Sequence, residues 1–300
     1  MIRLLAVCAL PVAGLAALAG QARAAPIPEP VVAMIEASAD NPDHLTTIAR
    51  IARITNPDSI AEIDARVAAI RAATEERRVA TLSGQAFREG WSGQGQAGGA
   101  LSTGNAEDTG LVLGVDLKKE SLRWRHRLNA VVDHKTSNSV QTRERYAVGY
   151  QGDYKISERL YANLLVGWER DPFAGFEGRT SESVGVGYRF LTGPTMTLDA
   201  DIGVAARQTR FLATGDESTV GARLGLRYEW TLSPDTVFTE VASAYLDGSG
   251  TTVESTTAIT TRLSGALSGR ASLNVRHETD PPVAREPTDT ATRFSLVYGF

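Results

Sequence analysis

The residues of this chain best suited to chemistry are its four histidines, His44, His126, His134 and His277, and a dense set of arginines and carboxylates. Asp133-His134 and His277-Glu278 each place a base beside a carboxylate, the pairing that general acid–base catalysis uses. Strand alternation argues against that use: neighbours along a strand face opposite ways. His134 and His277 then share the apolar face, where a histidine at lipid-headgroup level is the simpler account. No serine motif singles out a nucleophile, and the histidines lack the helical spacing of metal ligands. Glu107-Asp108 and Asp216-Glu217 could attract calcium or lipid-bridging cations, but solvated loop charge is the better account of them. No cofactor is expected, and the chain does not read as an enzyme.

The arginines suggest a different use. Arg123, Arg125 and Arg127 recur at every second position, with Asp116 on the preceding strand and Asp153 on the following one. Asp199 and Asp201 stand between strands that carry Arg189 and Arg227. Charges at bilayer depth cost several kcal/mol unless they are paired or wet. These nine residues are therefore expected to line the interior of a closed sheet. The two neighbouring carboxylates can neutralise at most two of the three strand-three arginines, which leaves one positive charge over. Such an interior either stiffens the wall or surrounds a narrow aqueous passage.

The elements that must position them follow from period and punctuation. From Gly90 onward the apolar period is two, and twelve strands are expected near 90–101, 109–117, 122–134, 143–156, 160–170, 180–191, 196–211, 218–232, 236–246, 253–267, 271–278 and 290–300. Connections at 118, 157, 192, 233 and 268 read as tight, the last as Ser268-Gly269-Arg270. Those near 102, 135, 171, 212, 247 and 279 read as longer and more polar. Alternating short and long links are the pattern of an up-and-down outer-membrane barrel, and a sandwich would need Greek-key crossings instead. Tyr154, Tyr188, Tyr228, Trp230, Tyr298 and Phe300 cluster at the short-turn ends, as an interfacial aromatic girdle would.

Residues 29 to 84 are written differently, rich in Ala, Ile, Glu and Arg and without Gly until Gly84. Asn41-Pro42-Asp43 and Asn56-Pro57-Asp58 each read as a helix N-cap followed by proline and an acidic first turn. Leu45, Ile48, Ala49 and Ala52, then Ile60, Ile63, Val67 and Ile70, keep helical spacing, and a further helix is expected around residues 31–37. Before them, a basic start, the apolar run LLAVCALPVAGLAALAG and Ala22-Arg23-Ala24 have the layout of a secretory leader, interrupted by Pro11 and too short to span a bilayer. Cys8, the only cysteine, lies inside that leader, so a cleaved chain carries no thiol. The balance of 31 basic to 35 acidic residues gives no reason to expect a nucleic-acid partner.

Trp91-Ser92-Gly93, the run Gly98 to Asn105 and then Thr109 resemble the opening hairpin of the YdiY-like salt-induced outer-membrane proteins, a family of undefined molecular activity. The resemblance extends over about residues 90–300 and implies a monomer-sized outer-membrane barrel. The ending Phe294, Leu296, Tyr298, Phe300 likewise resembles the carboxyl-terminal signal read by barrel-assembly machinery. The expected organisation is a signal peptide at 1–24, a helical periplasmic segment at 25–88, and an all-β transmembrane barrel of about 12 antiparallel up-and-down strands at 89–300. Its partners would be outer-membrane lipid, the assembly machinery and small ions or solutes. Two functions suit it: a narrow, porin-like channel, or a non-conducting structural or stress-related protein of the Gram-negative envelope. An enzyme with a rim His/Asp site ranks a distant third.

Overall fold

The computed structural model describes residues 26–102, 108–248, 250–281 and 286–300. The leader, the Thr103-Gly104-Asn105 turn and Glu107 lie outside the described residues. The chain divides after Arg78 into two compact units.

The first unit is helical, with α1 (Glu29–Ala37), α2 (Pro42–Thr55) and the start of α3 (Ile60–Gly84), which follows a one-turn 3-10 helix at Pro57–Ser59. Asn41 caps α2: its side-chain oxygen accepts from the backbone N–H groups of Asp43 at 3.0 Å and His44 at 3.1 Å. Pro42 follows at a position where a missing N–H costs nothing. Asn56 does not cap α3. Its amide instead donates back to the Ala52 carbonyl at 3.1 Å and closes α2. Ile35, Leu45, Ala49, Ala52, Ile63 and Val67 form the buried core, with Ile48 and Ile70 packed against it. Ile60, expected on that face, opens α3 and is 41% exposed.

The second unit is a closed antiparallel barrel. Its strands are β1 (Trp91–Ser102), β2 (Asp108–Glu120), β3 (Trp124–Ser137), β4 (Val140–Lys155), β5 (Leu160–Asp171), β6 (Phe176–Thr192), β7 (Met196–Phe211), β8 (Gly215–Ser233), β9 (Thr236–Asp247), β10 (Gly250–Ser264), β11 (Leu267–Glu278) and β12 (Thr288–Gly299). Each strand pairs with the next, and β12 returns to β1. Phe300 completes the seam by exchanging two backbone hydrogen bonds of 2.9 Å with Gly93. Phe294, Leu296, Tyr298 and Phe300 all lie exposed on the outer wall. So do Leu164, Val184, Val204, Val220 and Leu224, while Arg125, Asp153, Asp199 and Asp201 fall on the inner parity. An apolar exterior around a charged interior inverts a soluble barrel and is the transmembrane arrangement. Trp124, Tyr154, Tyr188, Trp230 and Tyr298 ring the outer wall near the rim where the barrel chain enters and ends, termed here the proximal rim.

The expected alternation of short and long links is not how the hairpins are built. At the opposite, distal rim β3 and β4 are joined by Asn138-Ser139 alone, both at positive φ (47° and 63°), the two-residue turn whose twist matches a hairpin. β4, β6, β8 and β10 all begin three or four residues before their apolar alternation does. The ladders continue past the apolar band, where both faces are polar and the period-two signal vanishes. At the proximal rim, Ser268-Gly269-Arg270 is strand, not turn. The reversal comes earlier, at Gly265-Ala266, because Gly265 adopts φ +53° without a side-chain clash and lets Ser264 pair with Leu267.

Lys119 shows how the entering chain is held. Its position is on the outer parity, yet it is only 3% exposed. Its ammonium donates to the carbonyls of Ala86 at 2.6 Å, Phe87 at 2.9 Å and Glu89 at 2.7 Å. Phe87 meets the Trp91 and His126 rings edge-on at 5.9 and 5.8 Å, and His126 Nδ1 lies 2.8 Å from the Tyr150 hydroxyl. A Lys119→Met change should therefore release residues 86–89. Trypsin cleavage after the exposed Arg88 in the detergent-solubilised protein is expected to accelerate roughly tenfold, the value of about one charge-assisted hydrogen bond. An unchanged cleavage rate would show that the rings alone hold the segment.

Candidate functional site: an arginine-rich lumen

Inward parity brings charge from many strands into one space, and pairing reaches across the barrel as well as between adjacent strands. Asp153 on β4 is the most enclosed, its side chain 1% exposed; it accepts from Arg125 at 2.7 Å, from Gln151 at 2.9 Å, and lies 3.3 Å from Arg127. Asp199 on β7 is shared three ways, by Arg125 at 2.8 Å, Arg189 at 3.2 Å and Arg127 at 3.5 Å. Arg125 is thus a strut between carboxylates of two non-adjacent strands. Its guanidinium also stands 5.0 Å from the Tyr161 ring centre. Tyr161 in turn lies across Gly187, where a Cβ would collide with the ring.

The other residues expected in this group are placed differently. Arg123 precedes β3, in the turn, and its closest polar partner is the Tyr154 hydroxyl at 3.4 Å, so it does not belong to the central cluster. Asp116 accepts from Gln94 at 3.3 Å and forms no ion pair with the β3 arginines. Asp201 pairs with Arg223 at 2.6 Å, not with Arg189 or Arg227, and Gly225 leaves room for its carboxylate. Arg227 sits directly opposite Asp199 in the β7–β8 register, yet among the described residues it has no ion-pair partner. Asp133 joins Arg143 at 2.8 Å and Arg293 at 2.5 Å, facing away from His134. His277 likewise faces outward to Thr288 while Glu278 faces in, so neither His/acid pair exists as a unit. Asp216 pairs with Arg210 at the exposed distal rim.

A second ionic cluster nearer the distal rim escaped the sequence reading. Arg145 on β4 reaches Glu254 on β10 at 3.0 Å and Glu169 on β5 at 2.6 Å. Arg276 on β11 reaches Glu169 at 3.0 Å, and Arg179 on β6 reaches Glu278 at 3.3 Å. The fully buried Phe176 ring packs under both arginines, 4.1 Å from Arg179 and 5.5 Å from Arg276. β4 and β10 are diametrically opposed in a ring of twelve, as are β5 and β11. A circular twelve-stranded barrel is about 24 Å across at ordinary spacing and tilt. Side chains that meet from opposite walls therefore require a flattened section at this level. The inward charges were visible in the sequence; their partners, on strands far apart in the chain, were not.

Two adjoining cavities, of about 320 and 260 Å³, lie in the lumen and share Arg127, Arg223, Arg227, Ser243 and Glu254 among their wall residues. Between them they are lined by Arg127, Arg145, Arg179, Arg207, Arg223, Arg227, Arg270, Arg276 and Arg293, against the inward carboxylates Glu169, Asp199, Asp201 and Glu254. Asp153, Glu278 and Asp133, outside that lining, also pair with Arg127, Arg179, Arg276 and Arg293, so the positive excess rests on Arg207, Arg227 and Arg270, which have no ion-pair partner among the described residues. Such an enclosure can hold water and anions and repel cations.

A closed barrel with an apolar outer wall and an ionic lumen defines a transmembrane β-barrel. Residues 95–300 match the family described as "Protein of unknown function, DUF481", and the chain belongs to that family. It is similar to the uncharacterized protein YdiY of Escherichia coli (strain K12), with 26% identity over 164 residues, or 54% of this chain and 65% of that relative, just under two thirds of its length. Among solved structures it is similar to the translocator domain of the autotransporter NalP from Neisseria meningitidis (15% identity, 77% of this chain, 96% of that one, TM-score 0.42). It is also similar to the NanC porin (8% identity, 69% and 98% covered, TM-score 0.45).

The central cluster makes a stability prediction. Arg125→Gln leaves the enclosed Asp153 with a weaker set of partners and should cost about 3 kcal/mol. Arg189→Gln, at a side chain 29% exposed, should cost under about 1 kcal/mol. Urea midpoints of the detergent-solubilised barrel, followed by heat-modifiable mobility, compare the two, and adding Asp153→Asn to Arg125→Gln should recover part of the loss. Equal shifts for Arg125→Gln and Arg189→Gln would contradict the strut.

Proposed function

We propose that this protein is an outer-membrane barrel providing a narrow, water-filled passage for small anions, with its helical unit in the periplasm and no catalytic role. The observation that carries this reading is that Arg207, Arg227 and Arg270 line the two adjoining cavities with no ion-pair partner among the described residues. The passage is narrow because the distal ion pairs, Arg145 with Glu254 and Arg276 with Glu169, span it. Those same struts favour a second reading, a braced envelope protein that does not conduct. The outer wall takes lipid as its partner, and the outward row Phe294, Leu296, Tyr298, Phe300 serves the assembly machinery as its recognition element.

Planar-bilayer recordings of the full chain separate the two readings. The first predicts a small conductance with anion preference. Arg227→Gln with Arg270→Gln should lower the anion-to-cation permeability ratio at least about threefold, since a unit charge 5 Å from a permeating ion is worth about 3 kcal/mol at an effective dielectric near 20, before screening. A silent wild-type protein would leave the bracing role standing alone.

Orientation is tested separately. A cysteine replacing Ala213 at the distal rim should react with an impermeant thiol reagent on intact cells, while one replacing Glu158 at the proximal rim should react only after the membrane is opened. The reverse pattern would invert the barrel.

A further inference from the structure

We propose that Arg227, together with Arg127 and Arg270, forms a binding site inside the lumen for an oxyanion group: carboxylate, phosphate or sulfate. The inference deepens the anion-passage reading by giving the ligand a chemical class and a place, and it rests on which carboxylates are already engaged. Asp199 lies directly across the β7–β8 ladder from Arg227, but its Oδ1 is taken by Arg189 at 3.2 Å and its Oδ2 by Arg125 at 2.8 Å. Asp201, the next inward carboxylate on β7, is bound by Arg223 at 2.6 Å. Arg227 is thus passed over by both carboxylates of β7.

Arg270 on β11 is in the same situation. Asp116 is the acid nearest in electrostatic influence, yet its hydrogen bond is with Gln94 at 3.3 Å, and among the described residues Arg270 has no ion-pair partner. Arg127, Arg227 and Arg270 thus place three like charges around one space. All three line the cavity of about 320 Å³, with the Asn129 and Gln151 amides beside them. Like charges gathered in a confined space are stabilised by a counter-charge, and the wall does not supply one for Arg227 or Arg270. A guanidinium offers parallel N–H donors spaced to meet two oxygens of one group, which selects an oxyanion over a spherical halide of equal charge.

The test uses the full-length wild-type protein in detergent and does not depend on conduction. A dicarbonyl reagent that modifies arginine is applied in sodium phosphate or in sodium chloride at matched ionic strength, and the modified positions are read by peptide mass. Phosphate should slow modification of Arg227 and Arg270 roughly tenfold while leaving Arg210 at the exposed rim unchanged. Equal rates in the two salts, or equal protection of Arg210, would overturn the site. Calorimetric titration with phosphate should in addition show saturable binding that weakens roughly tenfold in Arg227→Gln, and unaltered binding in that variant would count equally against it. A barrel that binds phosphate but passes no current keeps this site and loses the passage; one that prefers chloride over potassium without phosphate protection keeps the passage and loses the site.

Discussion

Asp199 is the residue on which the interior turns. A carboxylate inside a barrel wall must be paired, and this one is approached by guanidiniums from β3 and β6 rather than by the arginine facing it on β8. Because Arg125 also holds Asp153, one side of the lumen is tied together through side chains as well as backbone. The geometry has a second consequence. Once Asp199 and Asp201 are engaged, Arg227 of β8 and Arg270 of β11 face the cavity with no ion-pair partner among the described residues. Stability and electrostatic character thus come from the same distribution of partners.

The two ends of the barrel solve different problems. At the proximal rim the aromatic girdle and the Lys119 cap hold the outer wall and the entering chain. Toward the distal rim the Arg145, Glu169, Arg276 and Glu254 pairs draw opposite walls together. Between them lies the arginine-lined cavity.

Much of this architecture was legible in the sequence because a membrane barrel writes its sidedness into alternate residues. Strand number, parity and the outward placement of His134 and His277 follow from that alternation alone. Strand ends did not, because ladders at the distal rim continue where both faces are polar, and Gly265 turned the β10–β11 hairpin earlier than the Ser-Gly-Arg triplet suggested. Arg123 shared the spacing of Arg125 and Arg127 but fell beyond the strand. Pairings across the lumen were least visible. The register fixes neighbours on adjacent strands, whereas Arg125 with Asp199 and Arg145 with Glu254 depend on the cross-section of the closed barrel.

The claim that joins these features is that the carboxylates of β7 are consumed by other partners and leave Arg227 free to meet mobile anions. Anomalous diffraction from crystals of the protein soaked in selenate, an oxyanion, tests it directly. The account predicts an anomalous peak inside the barrel within contact distance of the Arg227 guanidinium, where no protein carboxylate lies. A map with selenate only on the outer surface, or with a carboxylate seated against Arg227, would contradict it.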